Sequence, residues 1–341
     1  MSAFLLLMGP SMFKEATIRG VTFNPALFCA PLAGLTHSAF RRVVANFGGC
    51  GGFWTEMLAA KQILREDPRC SPYLRRSPGE HRLIYQLMLR QDDPIERIIS
   101  RLAEIGPDGV DINLACHAPV IRNLDAGSSL FEDLPALTSV LATVRRCWPG
   151  LLTVKIRLGR DADGWQERFT ERMKCFEDNG VDAVVLHPRF FEDKFKRRAR
   201  HEHLAWAASL TRIPIIANGD IMGSAILRKN PELFKPAAGL MIGRMAIAQP
   251  WVFAGWNKPA SVDYTKVWTS MFDNILEDFA PEVAISRIKL FTKYYARNFT
   301  FGHGFQAAVS NAPTLDAARE TALAFLESKP TLLDEPSLTG I

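Results

Sequence analysis

No two cysteines of this chain form a Cys-x-x-Cys pair, and none of its six, at positions 29, 50, 70, 116, 147 and 175, stands at a zinc-binding spacing from another. That argues against a disulfide framework and a bound metal, and fits free thiols in a reducing cytoplasm. Long apolar runs are missing as well: nothing approaches the roughly 18 residues that a membrane span needs. Residues 1–8 are apolar, but no basic segment precedes them, so a secretory leader is not expected. There is no Gly-x-Gly-x-x-Gly turn between strand and helix, which leaves a Rossmann dinucleotide domain unsupported, and no Walker loop. Excess charge is scarce too. A net +5 over 341 residues means that attraction to a polyanion must come from where the basic side chains sit.

What remains is ordinary globular material, 48% hydrophobic and 23% charged, in a chain long enough for a large core and a second, smaller domain. Eight short β-rich runs recur in its first three quarters, at 27–30, 52–56, 83–87, 109–113, 152–156, 183–187, 215–218 and 239–243. Between them lie stretches with helical spacing, such as Ile95, Ile98, Ile99 and Leu102, or Leu134, Leu137, Val140 and Leu141. Alternating strand and helix requires a parallel sheet. Eight such units match an α/β protein built as a (β/α)8 TIM barrel, a fold of roughly 250 residues. A doubly wound open sheet is the alternative.

Polar groups stand at strand ends where the apolar pattern would otherwise continue. Asp111-Ile-Asn113-Leu-Ala-Cys116 and Val154-Lys155-Ile-Arg157 place Asn, Cys, Lys and Arg there. Side chains two apart on a strand share a face, so Asp111 goes with Asn113 and Lys155 with Arg157, while Ile112, Val154 and Ile156 point the other way. Polar groups on a packed strand face are costly unless they meet a partner or a ligand. Gln86, Asn113, Lys155, His187, Asn218 and Gly243 each stand at or near a strand end, the rim on which barrel enzymes build their sites. Any one alone reads equally well as a turn or cap signal; six together point to a site. Ile216-Ala-Asn218-Gly219-Asp220 and Met241-Ile-Gly243-Arg244 follow at strands seven and eight, whose loops commonly hold a phosphate in this fold. Glycine admits an anion to the backbone and an arginine fork binds it. That phosphate belongs either to a flavin mononucleotide or to a phosphorylated substrate.

Further motifs keep the same order: Ala30-Pro31-Leu32-Ala33-Gly34-Leu-Thr36 with Phe40-Arg41-Arg42, Thr55-Glu56-Met57, Gln86-Leu87, a Gly159 after Arg157, His187-Pro-Arg189 and Ile242-Gly-Arg244. Together with the strand-end groups they resemble the flavin-dependent tRNA-dihydrouridine synthases over residues 27–254. The resemblance implies that reduced FMN delivers a hydride to C6 of a uracil in RNA, tRNA being the expected partner, that an enzyme acid protonates C5, and that NADPH or NADH is the reductant. On it, Cys116 is the proton donor; a thiol, with an ordinary pKa of about 8.5, carries its proton at neutral pH. Lys155 contacts the flavin ring, where a cation stabilises the anionic reduced form. His187 is a second flavin contact, Pro31, Leu32, Ala33 and Gln86 line the ring, and Asn218, Gly219, Asp220, Gly243 and Arg244 hold the phosphate end. Asn113 and Arg157 hold the uracil. The other five cysteines are expected to be buried and structural.

The chain also departs from the pattern. Gly-Cys-Pro is usual around the acid, whereas Ala115-Cys116-His117 stands here, followed by Leu124-Asp125-Ala126-Gly127 instead of a Gly-rich stretch. His117 would tune the neighbouring thiol, act as an alternative acid or simply be solvated, the last being the expectation. His37 stands where an aspartate is common.

Past Trp251 the strand–helix rhythm stops, and helices are expected over 267–279, 282–298 and 315–327, with Pro281 in a first turn and a break at Gly302 and Gly304. The expectation is an FMN-binding barrel domain over 1–255 and a helical RNA-binding domain over 256–341. Lys289, Lys293 and Arg297 form a stripe at i, i+4, i+8. Tyr294, Tyr295 and Phe299 interleave with it, which suits an RNA backbone with stacked bases; a solvated face over a helical core is the plainer reading. A second basic run, Lys194, Lys196, Arg197, Arg198 and Arg200, follows strand six on the catalytic rim, and Arg197 and Arg198 are expected to bind substrate phosphates. Two other readings use the same residues: a Schiff-base aldolase or isomerase with Lys155 as nucleophile, and a flavin-free barrel kept for RNA binding, against which Lys155 and Arg157 speak. A cytoplasmic monomer is expected.

Overall fold

The apolar runs close on themselves. A computed structural model, which describes residues 12–193, 196–257 and 260–338, contains β1 (Ala16–Ile18), β2 (Val21–Phe23), β3 (Leu27–Cys29), β4 (Gly52–Trp54), β5 (Leu58–Ala59), β6 (Leu83–Met88), β7 (Gly109–Asn113), β8 (Leu151–Ile156), β9 (Ala183–Leu186), β10 (Ile215–Asn218) and β11 (Gly239–Ile242). The sheet runs β4-β3-β11-β10-β9-β8-β7-β6, and β4 also pairs with β6, so its two edges meet in a barrel. All these pairings are parallel. Barrel strands are covered by side chains within and helices without, which is why every residue of β7 and β8 is buried and why they read as apolar runs. The eight expected strands are the eight barrel strands, with ends shifted by no more than two residues. Lys194 of the second basic run and the apolar residues 1–8 lie outside the described residues.

Helical spacing in the sequence likewise becomes packing. Ile95–Ile105 buries Ile95, Ile98, Ile99 and Leu102 against the sheet. Leu134–Cys147 buries Leu137, Val140, Leu141 and Val144, and is started by Asp133, whose carboxylate accepts from the Ala136 amide. Among the described residues no helix is long and apolar enough to cross a membrane.

Two features were not foreseen. β1 and β2 form an antiparallel hairpin ahead of the barrel. Its Phe23 meets Phe28 edge-on, with centroids 5.1 Å apart, and lies alongside Trp54 at 6.5 Å. Gly52 and Gly239, the first residues of β4 and β11, face these rings, so the aromatic cluster fills the end of the barrel where the strands begin. Two-residue β5 then pairs with the carboxyl end of β6, beyond the residues that β4 pairs.

The C-terminal quarter is helical over Tyr264–Asp278, Pro281–Tyr295, Gly302–Asn311 and Leu315–Glu327. Two expectations are corrected here. Gly302 and Gly304 are not a break but the first turn of a helix that buries Phe305 and Val309. The turn before it is made by Phe301 at φ 59°, and Gly302 is needed because a Cβ there would lie 1.8 Å from the Ala296 carbonyl oxygen. Tyr295 and Phe299, expected to stack on bases, are core residues. Phe291, Tyr295 and Phe299 recur every four residues and line the buried side: Tyr295 lies against Phe291 at 5.2 Å and donates to the Tyr264 carbonyl at 2.8 Å, while Phe299 packs edge-on to Phe325.

Polar contacts join these helices to the barrel. Asn274 Nδ2 donates to the Ala39 carbonyl at 3.1 Å, and Arg42 reaches the Asn274 carbonyl and Asp278. Arg287 donates to the Tyr73 hydroxyl at 3.1 Å and lies against Gly34, in the loop after β3.

The two glycines of the Gly302 turn should respond oppositely to alanine. Gly302→Ala drives a Cβ into backbone and is expected to cost about 1–3 kcal/mol. Gly304→Ala meets nothing within 4 Å at an exposed helical position, and is expected to stabilise by about 0.5–1 kcal/mol. Thermal or denaturant unfolding of the two variants measures both; equal effects would contradict this packing.

Candidate active site

Chain direction puts the carboxyl ends of all eight strands on one rim, and the polar strand ends converge there. A cavity of about 520 Å³ opens at that rim, lined by Pro31, Leu32, Ala33, Gln86, Asn113, Cys116, Lys155, Arg157, His187, Asn218, Gly219, Asp220, Gly243 and Arg244. That volume is in the range of small-molecule and cofactor sites. Arg197 and Arg198 do not line it; they are exposed on the loop after β9.

Its base is a polar chain on the inward face of three neighbouring strands. Asp111, fully buried, accepts from Gln86 Nε2 at 2.7 Å and from the Thr153 hydroxyl. Gln86 Oε1 in turn accepts from Asn113 Nδ2 at 2.8 Å. These bonds fix which way the Asn113 amide faces, and its Oδ1 accepts from the backbone amides of Ala115 and Cys116 at 3.2 and 3.0 Å. The strand face therefore positions the turn that carries the thiol. Burial pushes the Asp111 carboxyl up to about 6, against the pull of the Thr153 and Gln86 bonds.

Lys155 lies one strand over. Burial, reinforced by Arg157 and opposed by Asp111 and Cys116, lowers its ammonium to about 8. Among the described residues it has no hydrogen-bond or ion-pair partner, so its donors are left to whatever fills the cavity. Arg157, two residues on and facing the same space, is drawn down to about 10 by burial and Arg189, and remains charged at neutral pH; it reaches the Phe190 carbonyl at 3.3 Å.

The far end is built around Asp220, held at φ 48°. Its carboxylate takes two hydrogen bonds from Arg189, at 2.6 and 2.7 Å, one from Arg244 at 3.0 Å and one from the Ala199 amide at 2.8 Å. Burial alone would raise its pKa, but the Arg189 bonds and the two guanidinium charges hold it below the usual carboxylate range. Asp220, expected to hold a phosphate, thus has its carboxylate engaged by the two arginines beside it. Arg189, present in the motif but not singled out, proves central: it also bonds His187 Nε2 at 2.7 Å. A guanidinium only donates, so Nε2 accepts and the imidazole proton sits on Nδ1. Burial and the surrounding cations, Lys155 first, keep His187 neutral. Gly219 is required at φ 100°, since a Cβ would lie 2.5 Å from the His187 ring.

The segment after Cys116 is also ordered differently than expected. His117 is half-buried and stacks on Phe191 with centroids 5.1 Å apart and planes 5° apart. Solvation is therefore not its main environment. Of the other cysteines, Cys29, Cys50 and Cys175 are buried as expected, Cys147 is half-buried and packs against the core, and Cys70 is exposed. Arg200 forms an ion pair with Asp193, which Arg197 shares at 3.5 Å, so one carboxylate answers two of the cations of this run. Arg198 is exposed and forms no ion pair among the described residues.

Apolar Pro31, Leu32 and Ala33, an unpartnered ammonium and two arginines at the far end fit a flat ring with an anionic tail, which is what a flavin mononucleotide would present. The sequence model of the dihydrouridine synthase (Dus) family matches residues 28–326, through both the cavity and the C-terminal helices. The chain belongs to the dihydrouridine synthase family. A Helicobacter pylori relative described as a probable tRNA-dihydrouridine synthase is 28% identical over 315 residues, covering 89% of this chain and 92% of that protein. The Pseudomonas aeruginosa tRNA-dihydrouridine synthase B is 30% identical over 232 residues, 68% of this chain and 69% of that one. Among solved structures, the old yellow enzyme of Trypanosoma cruzi superposes with a TM-score of 0.53 at 10% identity, covering 83% of this chain and 97% of that one. At that identity the likeness concerns the barrel, not the chemistry.

Holding Lys155 near 8 rather than 10.5 costs the folded chain about 3 kcal/mol. Lys155→Met should therefore raise the melting temperature of ligand-free protein. The gain should be complete below pH 8, where native and unfolded lysine are both charged, and vanish by about pH 10.5, because between those limits the unfolded chain holds the extra proton. An unchanged or lowered melting temperature at pH 7 would contradict the burial penalty.

Proposed function

We propose that this protein reduces the C5=C6 bond of a uridine in tRNA, with FMN in the barrel mouth and NADPH or NADH as the source of electrons. The observation that carries the reading is the meeting, in one cavity, of the Lys155 ammonium, the Cys116 thiol and the Arg189–Asp220–Arg244 cluster in a chain of the dihydrouridine synthase family. A bound FMN supplies the hydride that goes to C6. Lys155, Gln86 and His187 contact its ring, Pro31, Leu32 and Ala33 pack on it, and the Asn218–Asp220 and Gly243–Arg244 turns hold its phosphate.

The chain's own part is to hold the uracil and manage one proton. Asn113 and Arg157 orient the base, with Asn113 fixed by Gln86 and Arg157 still charged at the working pH. Cys116 gives its thiol proton to C5 as the new C–H bond forms at C6, so the double bond becomes two C–H bonds and a thiolate is left, to be reprotonated from solvent. Buried cations on the same rim favour that thiolate electrostatically. The domain assignment follows: residues 1–255 as the FMN-binding barrel and 256–341 as the helical RNA-binding domain, with Arg198 and, more weakly, Arg197 meeting RNA phosphates. A Schiff-base role, which a lysine near pKa 8 would also suit, is set aside by the family.

Purified protein should be yellow and, with NADPH and unmodified tRNA transcript, should form dihydrouridine detectable by mass spectrometry. Cys116→Ala is expected to lower the single-turnover rate by about 10²- to 10⁴-fold. Full activity in that variant would overturn the acid assignment, and colourless protein would overturn the cofactor. For RNA binding, Arg198→Ala should flatten the plot of log affinity against log salt by about one, more than Arg197→Ala does. A slope unchanged in both variants would remove this loop from the interface.

A further inference from the structure

His117 has no part in the chemistry above, yet it is built into the rim. Two contacts hold the ring. One face of the imidazole lies against Phe191. Phe191 is itself 1% exposed, is braced edge-on by Phe131 at 5.9 Å, and donates its amide to the Gly159 carbonyl at 2.9 Å, so it cannot yield. His117 Nδ1 lies 3.0 Å from the Ser128 hydroxyl, which fixes the rotation of the ring, and the Ser128 amide donates to the Cys116 carbonyl at 3.0 Å, which ties the ring to the turn carrying the thiol. What the ring still offers is its second face and its Nε2 edge, at the mouth of the cavity.

The segment that follows it is apolar and cationic together. Val120, three residues on, is 71% exposed, among the most exposed large apolar side chains described. Burial, helped by Arg122 and Arg160 and opposed by Glu192, lowers the pKa of the ring, so that it is uncharged at neutral pH. A clamped neutral aromatic ring beside exposed apolar carbon, with guanidinium groups near by, is the combination that receives a splayed base and its phosphate from single-stranded RNA.

We propose that the open face of His117 is a stacking seat for the base of a nucleotide next to the uridine being reduced. The seat rests on the functional reading above. It makes the acid-bearing segment grip the RNA strand as well as protonate it, and stacking being tolerant of base identity, purines are favoured over pyrimidines only by their size.

The test uses the flavin-loaded full chain and tRNA transcripts. His117→Ala should raise KM for tRNA about tenfold with kcat changed less than threefold, and His117→Phe, which keeps a flat ring, should restore KM. Flavin absorbance reports that each variant is folded. In an RNA oligonucleotide carrying 2-aminopurine on either side of the target uridine, fluorescence at one of the two positions should be quenched on binding wild type and His117→Phe, but not His117→Ala. A fall in kcat with KM unchanged, not rescued by phenylalanine, would overturn the seat and make His117 a proton carrier. Unchanged KM and quenching in His117→Ala would also overturn it. Wild-type protein that modifies no RNA would overturn the functional reading and the seat with it, a result distinct from failure of the variants alone.

Discussion

Four cations, Lys155, Arg157, Arg189 and Arg244, meet in a cavity whose described lining holds one carboxylate, Asp220, and a buried charge costs several kcal/mol unless opposite charge or hydrogen bonds answer it. Asp220 answers two of them at once. Its carboxylate draws Arg189 and Arg244 together, and Arg189 then fixes the proton of His187 on Nδ1. Lys155 has no such answer and pays by losing affinity for its proton. The described lining thus sets four cations against one carboxylate, a standing preference for an anionic ligand, and the fold sustains it because eight strands supply enough apolar burial elsewhere.

The thiol depends on the same strands by a different route. Asn113 is both the last residue of β7 and the acceptor for the amides of Ala115 and Cys116, so the position of the Cys116 thiol is set by a side chain whose own orientation is fixed through Gln86 to Asp111. Site and scaffold share their hydrogen bonds. A change at Thr153 or Asp111, neither of which lines the cavity, would reach Cys116 through this chain.

What could be read from the sequence divides along physical lines. Barrel strands were legible because burial on both faces makes them apolar runs, and Lys155 and Arg157 stood out because such runs do not end in cations without cause. β1, β2 and β5 are two or three residues long and too short to show a period. Tyr295 and Phe299 were misplaced because a helix with aromatics beside lysines does not say which side its neighbours cover; Phe291 and Tyr264 decide that, and they meet only in the fold. Gly302 signalled a break by its type, whereas its role comes from the nearness of Ala296, six residues back. Arg189 and the Phe191 that supports His117 sit in a loop, where no period marks a residue that works by touching others.

The aromatic cluster of Phe23, Phe28 and Trp54 closes the barrel where its strands begin. The cavity is a well and not a tunnel. Whatever reaches its floor enters and leaves by the rim that carries Cys116, Lys155 and Arg157.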